Sequence, residues 1–209
     1  MSRAAETCVL LAVPAALVAC AVLDVGGAAV LTLAVALAAI AVFFAAYERS
    51  RPALRQVMPT VVLAALAAAG RVLFAAVPDV KPVSAICILA GVVLGRRSGF
   101  MTGALAALTS NFFFGQGAWT PWQMYAWGLV GYLAGVLAER GLMERTGVVL
   151  AYGFVSPLTW ASVVAAYAAG LPFDLVHGVA TVAFLAALYV PWRRKLERVV
   201  AKYALAQRA

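Results

Sequence analysis

Long apolar runs, broken by short polar or turn-forming pieces, repeat along the whole chain. A spanning helix needs about 20 apolar residues, fewer where its ends are anchored. The pattern predicts eight such helices, over 8–23, 28–47, 57–77, 83–95, 99–114, 122–138, 147–169 and 173–192, the fourth being the shortest. Turn chemistry separates several of them: Asp24-Val25-Gly26-Gly27, Pro78-Asp79, Gly115-Gln116-Gly117 and Gly170-Leu171-Pro172. The predicted fold class is therefore all-α, a polytopic membrane helix bundle. Its character changes after the basic loop at 48–56. Residues 1–56 form a plain Ala/Val/Leu-rich pair of helices, and 57–209 form a six-helix core, richer in glycine, proline, amides and tryptophan, with a basic tail.

Charge placement adds an orientation. With the N-terminus inside, the inner segments hold Arg3, Arg49, Arg51, Arg55, Arg96, Arg97, Arg140, Arg145 and the cations of the tail, 14 of the 16 basic residues. Only Lys81 falls in an outer loop, and Arg71 lies near the outer end of a helix. This bias fits the positive-inside rule with an even number of spans, placing both termini in the cytoplasm and the chain in the cell membrane as a multi-pass protein. Asp24, Asp79 and Asp174 then fall outside, whereas Glu6, Glu48, Glu139, Glu144 and Glu197 mix with inner arginines and read as solvated surface.

Composition agrees and excludes alternatives. At 66% hydrophobic and 11% charged, the chain is far from the balance of a soluble domain. Its basic excess is scattered in short clusters, with no basic face for nucleic acid. An apolar run ahead of Leu17-Val18-Ala19-Cys20 resembles a secretory signal, but further apolar runs follow it and the stretch reads as the first span. Cys8, Cys20 and Cys87 form no CxxC pair and read as small packing side chains, so neither a metal nor a cofactor is expected. No Walker A loop appears, nor GxSxG, HExxH or a carboxylate chain through the helices, so an enzyme or self-powered pump is not expected. Gly91/Gly95, Gly99/Gly103 and Gly131/Gly135 are small-xxx-small pairs that allow close helix packing.

Two outer-side groups carry the candidate chemistry. A guanidinium within an apolar helix costs roughly 2.5–3.5 kcal/mol on insertion scales unless paired or wetted. Arg71 either snorkels to the outer interface, pairs with Asp79, or faces an outward cavity as a ligand residue; Asp79 and Lys81 share that loop. Around the next outer loop, Asn111, Gln116 and Gln123 stand among Trp119, Trp122 and Trp127. Aromatic belts anchor helices at the interface, but flat rings with a few directed amides are also how a pocket holds a planar organic ligand. His177, one turn into the last helix, reads as structural or pocket-lining.

Residues 57–192 resemble the S component, the substrate-binding subunit, of energy-coupling factor (ECF) vitamin transporters. The match is carried by Gly70-Arg71-Val72-Leu73-Phe74, by Lys81-Pro82-Val83 and by 110–127, which is similar to the subgroup associated with cobalamin uptake. The first core helix also has the family's AxxxA-type spacing, at Ala64/Ala68 and Ala65/Ala69, where such proteins dock on their coupling subunit. The resemblance implies a vitamin captured on the outer face and delivered inward by a core that topples in the membrane, with a transmembrane coupling subunit and two cytoplasmic ATPases supplying energy. Riboflavin and queuosine precursors are the competing substrates. A membrane enzyme acting on a lipid or isoprenoid would need Asp79, Asp174 and His177 to converge, and a structural helper of another complex would lack an outer pocket.

Overall fold

The computed structural model describes residues 3–23, 28–49, 52, 54–77, 80–117, 119–163 and 171–203, and every regular element among them is an α-helix. In chain order these are α1 (Arg3–Val22), α2 (Ala28–Arg49), α3 (Leu54–Leu73), α4 (Val83–Leu94), α5 (Arg96–Phe114), α6 (Trp119–Glu139), α7 (Thr146–Val163) and α8 (Leu171–Tyr203). Each overlaps one predicted span. The main difference is α8, which runs on past Trp192: its parts Leu175–Tyr189 and Pro191–Lys202 meet at 55°. Pro191 has no N–H for the helical ladder, and its ring crowds the preceding turn, which accounts for the bend.

Among the described residues Val30–Arg49 alone is long and apolar enough to cross a membrane unaided, joined by α8 if its bent halves count as one span; Cys8–Cys20, Val57–Leu73, Val83–Leu94 and Thr146–Ser156 are shorter apolar stretches. Several helices, α5 and α6 among them, turn glycine or polar groups toward one another. Their outward surface is apolar: Leu11, Val30, Leu54, Val155 and Val179, on five different helices, are all exposed. Such a belt exceeds what water tolerates and suits lipid as the outer solvent.

Short α4 is the hub. It is apolar all round, buried from Val83 through Gly91, and packs on α3, α5, α6, α7 and α8. The helices around it approach through glycine. A side chain at Gly91 would strike the backbone of Gly131 and Gly135, one at Gly99 would strike Gly131, and one at Gly103 would strike the backbone of Trp127 and Gly128. Gly95 is needed for its backbone instead. At φ +93° it makes the tight left-handed link from α4 to α5, which a residue with a Cβ enters only under strain.

The α1–α2 pair lies on α5 and α6. Leu10, Val13, Ala39, Ile40 and Phe43 share one buried cluster with Phe100, Ala104, Tyr125 and Tyr132. Phe43 stacks on Phe100 at 4.2 Å between ring centroids, and Tyr125 Oη donates to the Leu10 carbonyl at 2.6 Å.

A buried charge completes this joint. Glu6 is wholly buried, not solvated as its sequence neighbours suggest. Arg97 donates to Glu6 Oε1 from Nε at 2.9 Å and Nη2 at 2.6 Å; Tyr132 Oη donates to Oε2 at 2.8 Å, with Arg96 Nε 3.3 Å from the same oxygen. Arg96 also reaches Glu139 at 3.5 Å. The first turn of α1, the start of α5 and the end of α6 thus meet at one end of the bundle, where Arg193 of α8 also bonds the carbonyls of Met143 and Glu144. This basic end lies opposite the C-terminal ends of α3 and α5.

Removing one member of a buried ion cluster leaves the others uncompensated and costs about 3–5 kcal/mol. Glu6→Ala is therefore expected to lower the thermal midpoint in detergent sharply, with Glu6→Gln intermediate. An unchanged midpoint for Glu6→Ala would remove the cluster from the account of how α1 is held.

Candidate functional site

At the end opposite the basic one, α3, α5 and α6 bring a cation, an amide pair and aromatic rings together. Arg71 sits in the last turn of α3 and is partly buried. Its Nη1 donates to Ser110 Oγ at 2.7 Å and to Asn111 Oδ1 at 2.6 Å. Its guanidinium carbon lies 4.5 Å from the centroid of the Phe114 ring and 5.0 Å from that of Trp127, a cation–π arrangement. Among the described residues no carboxylate pairs with it. A guanidinium has five N–H donors; the two of Nη1 are engaged, while Nη2 and Nε have no hydrogen-bond partner among the described residues.

Asn111 is the pivot. Fully buried, it accepts from Arg71 and donates through Nδ2 to Thr120 Oγ1 and to Gln123 Oε1, both at 2.9 Å. Thr120 in turn donates to Gln116 Oε1 at 2.9 Å, and Gln116 Nε2 donates to the Leu108 carbonyl at 3.0 Å. The loop that makes this possible turns at Gly115, φ +93°, and passes Gly117, over which the Trp119 indole lies. A Cβ at either position would strain the backbone or collide with the indole.

Arg71, Asn111, Gln123 and Trp127 are thus in one bonded group, with Gln116 joined through Thr120. Trp119 is about half exposed at the first residue of α6. Trp122 packs instead against the buried cluster under α1 and α2. Lys81 Nζ donates to the Val77 carbonyl at 3.2 Å within the α3–α4 connection. His177 lies elsewhere, on α8, with Nε2 3.0 Å from Ser84 Oγ of α4. Asp79 and the side chain of Asp174 lie outside the described residues, and among those described no group of His, Cys, Asp and Glu is arranged to hold a metal. On α3, Ala64 and Ala68 face the interior and are buried, whereas Ala65 and Ala69 are exposed.

Sequence reasoning missed three members of the group: Ser110, Thr120 and Phe114. A usable signal existed for Thr120, which stands three residues before Gln123 and so shares its helix face.

A sequence model of the family described as ECF-type riboflavin transporter, S component, matches residues 52–173, more than half of the chain. The bundle is accordingly a membrane transporter component of the energy-coupling-factor class. The chain belongs to the family of ECF-type riboflavin transporter S components. No curated protein and no solved structure matches it. Proteins of this kind are substrate-binding subunits that work with a membrane coupling component and ATPases on small vitamin-like ligands.

Replacing Asn111 by alanine leaves Thr120, Gln123 and Arg71 without their common partner. A lost buried hydrogen-bonding group costs about 1–3 kcal/mol. Asn111→Ala is expected to lower the thermal midpoint in detergent more than Gln123→Ala does, since Gln123 is only partly buried; equal effects would place the pivot elsewhere.

Proposed function

We propose that this S component captures its vitamin at the Arg71 end, and that this end faces the outside of the cell membrane, with both termini cytoplasmic. The observation that carries the reading is the half-anchored guanidinium: one nitrogen is fixed by Ser110 and Asn111, and among the described residues no acceptor engages the rest of the group. Phe114 and Trp127 offer flat faces beside it, Trp119 lies over Gly117 of the adjoining loop, and Gln116 and Gln123 offer amide groups held in place by Asn111 and Thr120. A conjugated ring with oxygens or amides at its rim suits such a surface. Lys81 and Asp79, in the α3–α4 connection, are assigned to the proposed mouth, and His177, beside Ser84 and apart from the Arg71 group, is assigned to its wall on the α8 side.

Cobalamin is the first ligand proposed, on the likeness of 70–74, 81–83 and 110–127 to the cobalamin-type subgroup. Riboflavin is the second reading, favoured by the description of the matched family. The two are distinguished by purifying the protein from cells supplied with both vitamins and identifying the bound molecule by mass spectrometry and absorption. A bound corrinoid is expected. A bound flavin would replace the first reading by the second, and binding of neither would overturn both. Hydrogen bonds to a charged group contribute about 1.5–3 kcal/mol, so Arg71→Gln is expected to weaken ligand affinity about tenfold or more.

Inward delivery is assigned to a complex with a transmembrane coupling subunit and two cytoplasmic ATPases, with residues 57–209 as the substrate-binding unit and 1–56 as an added pair. Docking is assigned to the exposed Ala65/Ala69 edge of α3, beside exposed Val61, Val62 and Val72. Ala65→Leu with Ala69→Leu is expected to abolish uptake and leave vitamin binding intact. The matching change at buried Ala64 and Ala68 is expected to lower the yield of folded protein. Normal uptake by the first double variant would move docking to another face.

A further inference from the structure

A groove of about 240 Å³ runs between α3, α4 and α8, and none of the Arg71 cluster lines it. Its walls include Leu63, Phe74, Ile86, Phe184, Leu188 and Trp192, and every residue lining it is apolar. Phe74 and Phe184 meet across it edge to face, with ring centroids 5.2 Å apart. From Leu63 to Phe74 the wall extends about 16 Å at 1.5 Å per residue. That is close to the depth of one leaflet, since a bilayer's hydrocarbon core is about 30 Å thick.

What distinguishes the groove is where it ends. Trp192 lines it at the basic end, directly after the bend at Pro191. The helix then turns beneath the bundle, with Leu196 and Val200 packed on the core. Arg194, Lys195 and Arg198 stay exposed. Nearby Glu197 is engaged by Arg193 at 2.7 Å, so the acid in this stretch already has a cation of its own. An apolar slot about one leaflet deep thus has Trp192 in its wall, and exposed Arg194, Lys195 and Arg198 follow it within the next two turns of the helix; basic side chains at headgroup level attract anionic lipid.

We propose that the groove holds one acyl chain of an anionic phospholipid, whose phosphate is bound by Arg194, Lys195 and Arg198. Apolar depth and charge at the mouth together select this occupant. A zwitterionic lipid would fill the slot but bring its own cation against the three basic side chains, and a soluble anion would meet the cations without using the slot.

Native mass spectrometry of the full chain, after incorporation into nanodiscs of equal phosphatidylglycerol and phosphatidylcholine, tests this. Wild type is expected to retain one phosphatidylglycerol and to prefer it at least fivefold over phosphatidylcholine. Arg194→Gln/Lys195→Gln/Arg198→Gln, all at exposed positions, is expected to abolish the preference. Leu188→Trp, which fills the slot, is expected to reduce retention of both lipids. Equal retention of the two lipids by wild type would overturn the proposal. So would undiminished retention by Leu188→Trp, including the case where that variant instead loses assembly with the coupling subunit, which would make the groove a protein seat. Vitamin binding, measured in parallel, is expected to be unchanged in these variants, so failure here leaves the Arg71 site untouched.

Discussion

Backbone-to-backbone contact through glycine is the constraint on which this bundle rests. In lipid, helices gain little by hiding apolar side chains from one another, so association depends on close van der Waals fit and on hydrogen bonds. Gly91, Gly99, Gly103 and Gly131 remove the side chains that would hold α4, α5 and α6 apart. The polar cluster at the far end of α5 and α6 is a product of that approach. Asn111 bonds two residues of α6 directly because α5 and α6 run so near each other.

The same economy of space explains how a full positive charge is kept at the end of α3. Among the described residues Arg71 is met by a hydroxyl, an amide oxygen and two ring faces and by no carboxylate, so these groups solvate its charge without cancelling it. A carboxylate partner would have neutralised the site and occupied its donors. Neutral dipoles hold the side chain in one orientation and leave its charge in place. At the opposite end the solution is reversed: Glu6 is surrounded by Arg96, Arg97 and Tyr132, and there charge serves attachment.

How much of this could be read from the chain follows from which signals are local. The helical class and the place of most helices were legible, because apolar runs and the turns between them are set by nearby residues, whereas the run of α8 past Trp192 was not. Arg71, Asn111 and Gln123 were legible as polar groups in costly places, and the structure bonds them together. The environment of Glu6 was hidden, since nothing near it announces that α1 will cross the start of α5, some ninety positions later. The facing of α3 was hidden for a different reason: in a run as uniformly small as 64–69, no periodicity marks which alanines point inward, and the packing of α4 and α5 decides it. Trp122 and Trp127 show the limit of composition alone, for the first serves the joint with the α1–α2 pair and the second borders Arg71.

The attachment of α1 has a mechanical consequence. With Glu6 locked to the beginning of α5 and Phe43 stacked on Phe100, the first two helices have no independent freedom. Any tilting of the core against the bilayer must sweep them along as a rigid passenger on one flank. The body that reorients is then wider and lopsided, and its axis of least resistance is displaced toward the flank where the added pair is absent. Such tilting would displace lipid over a wider front on the α1–α2 flank than the six-helix core would by itself.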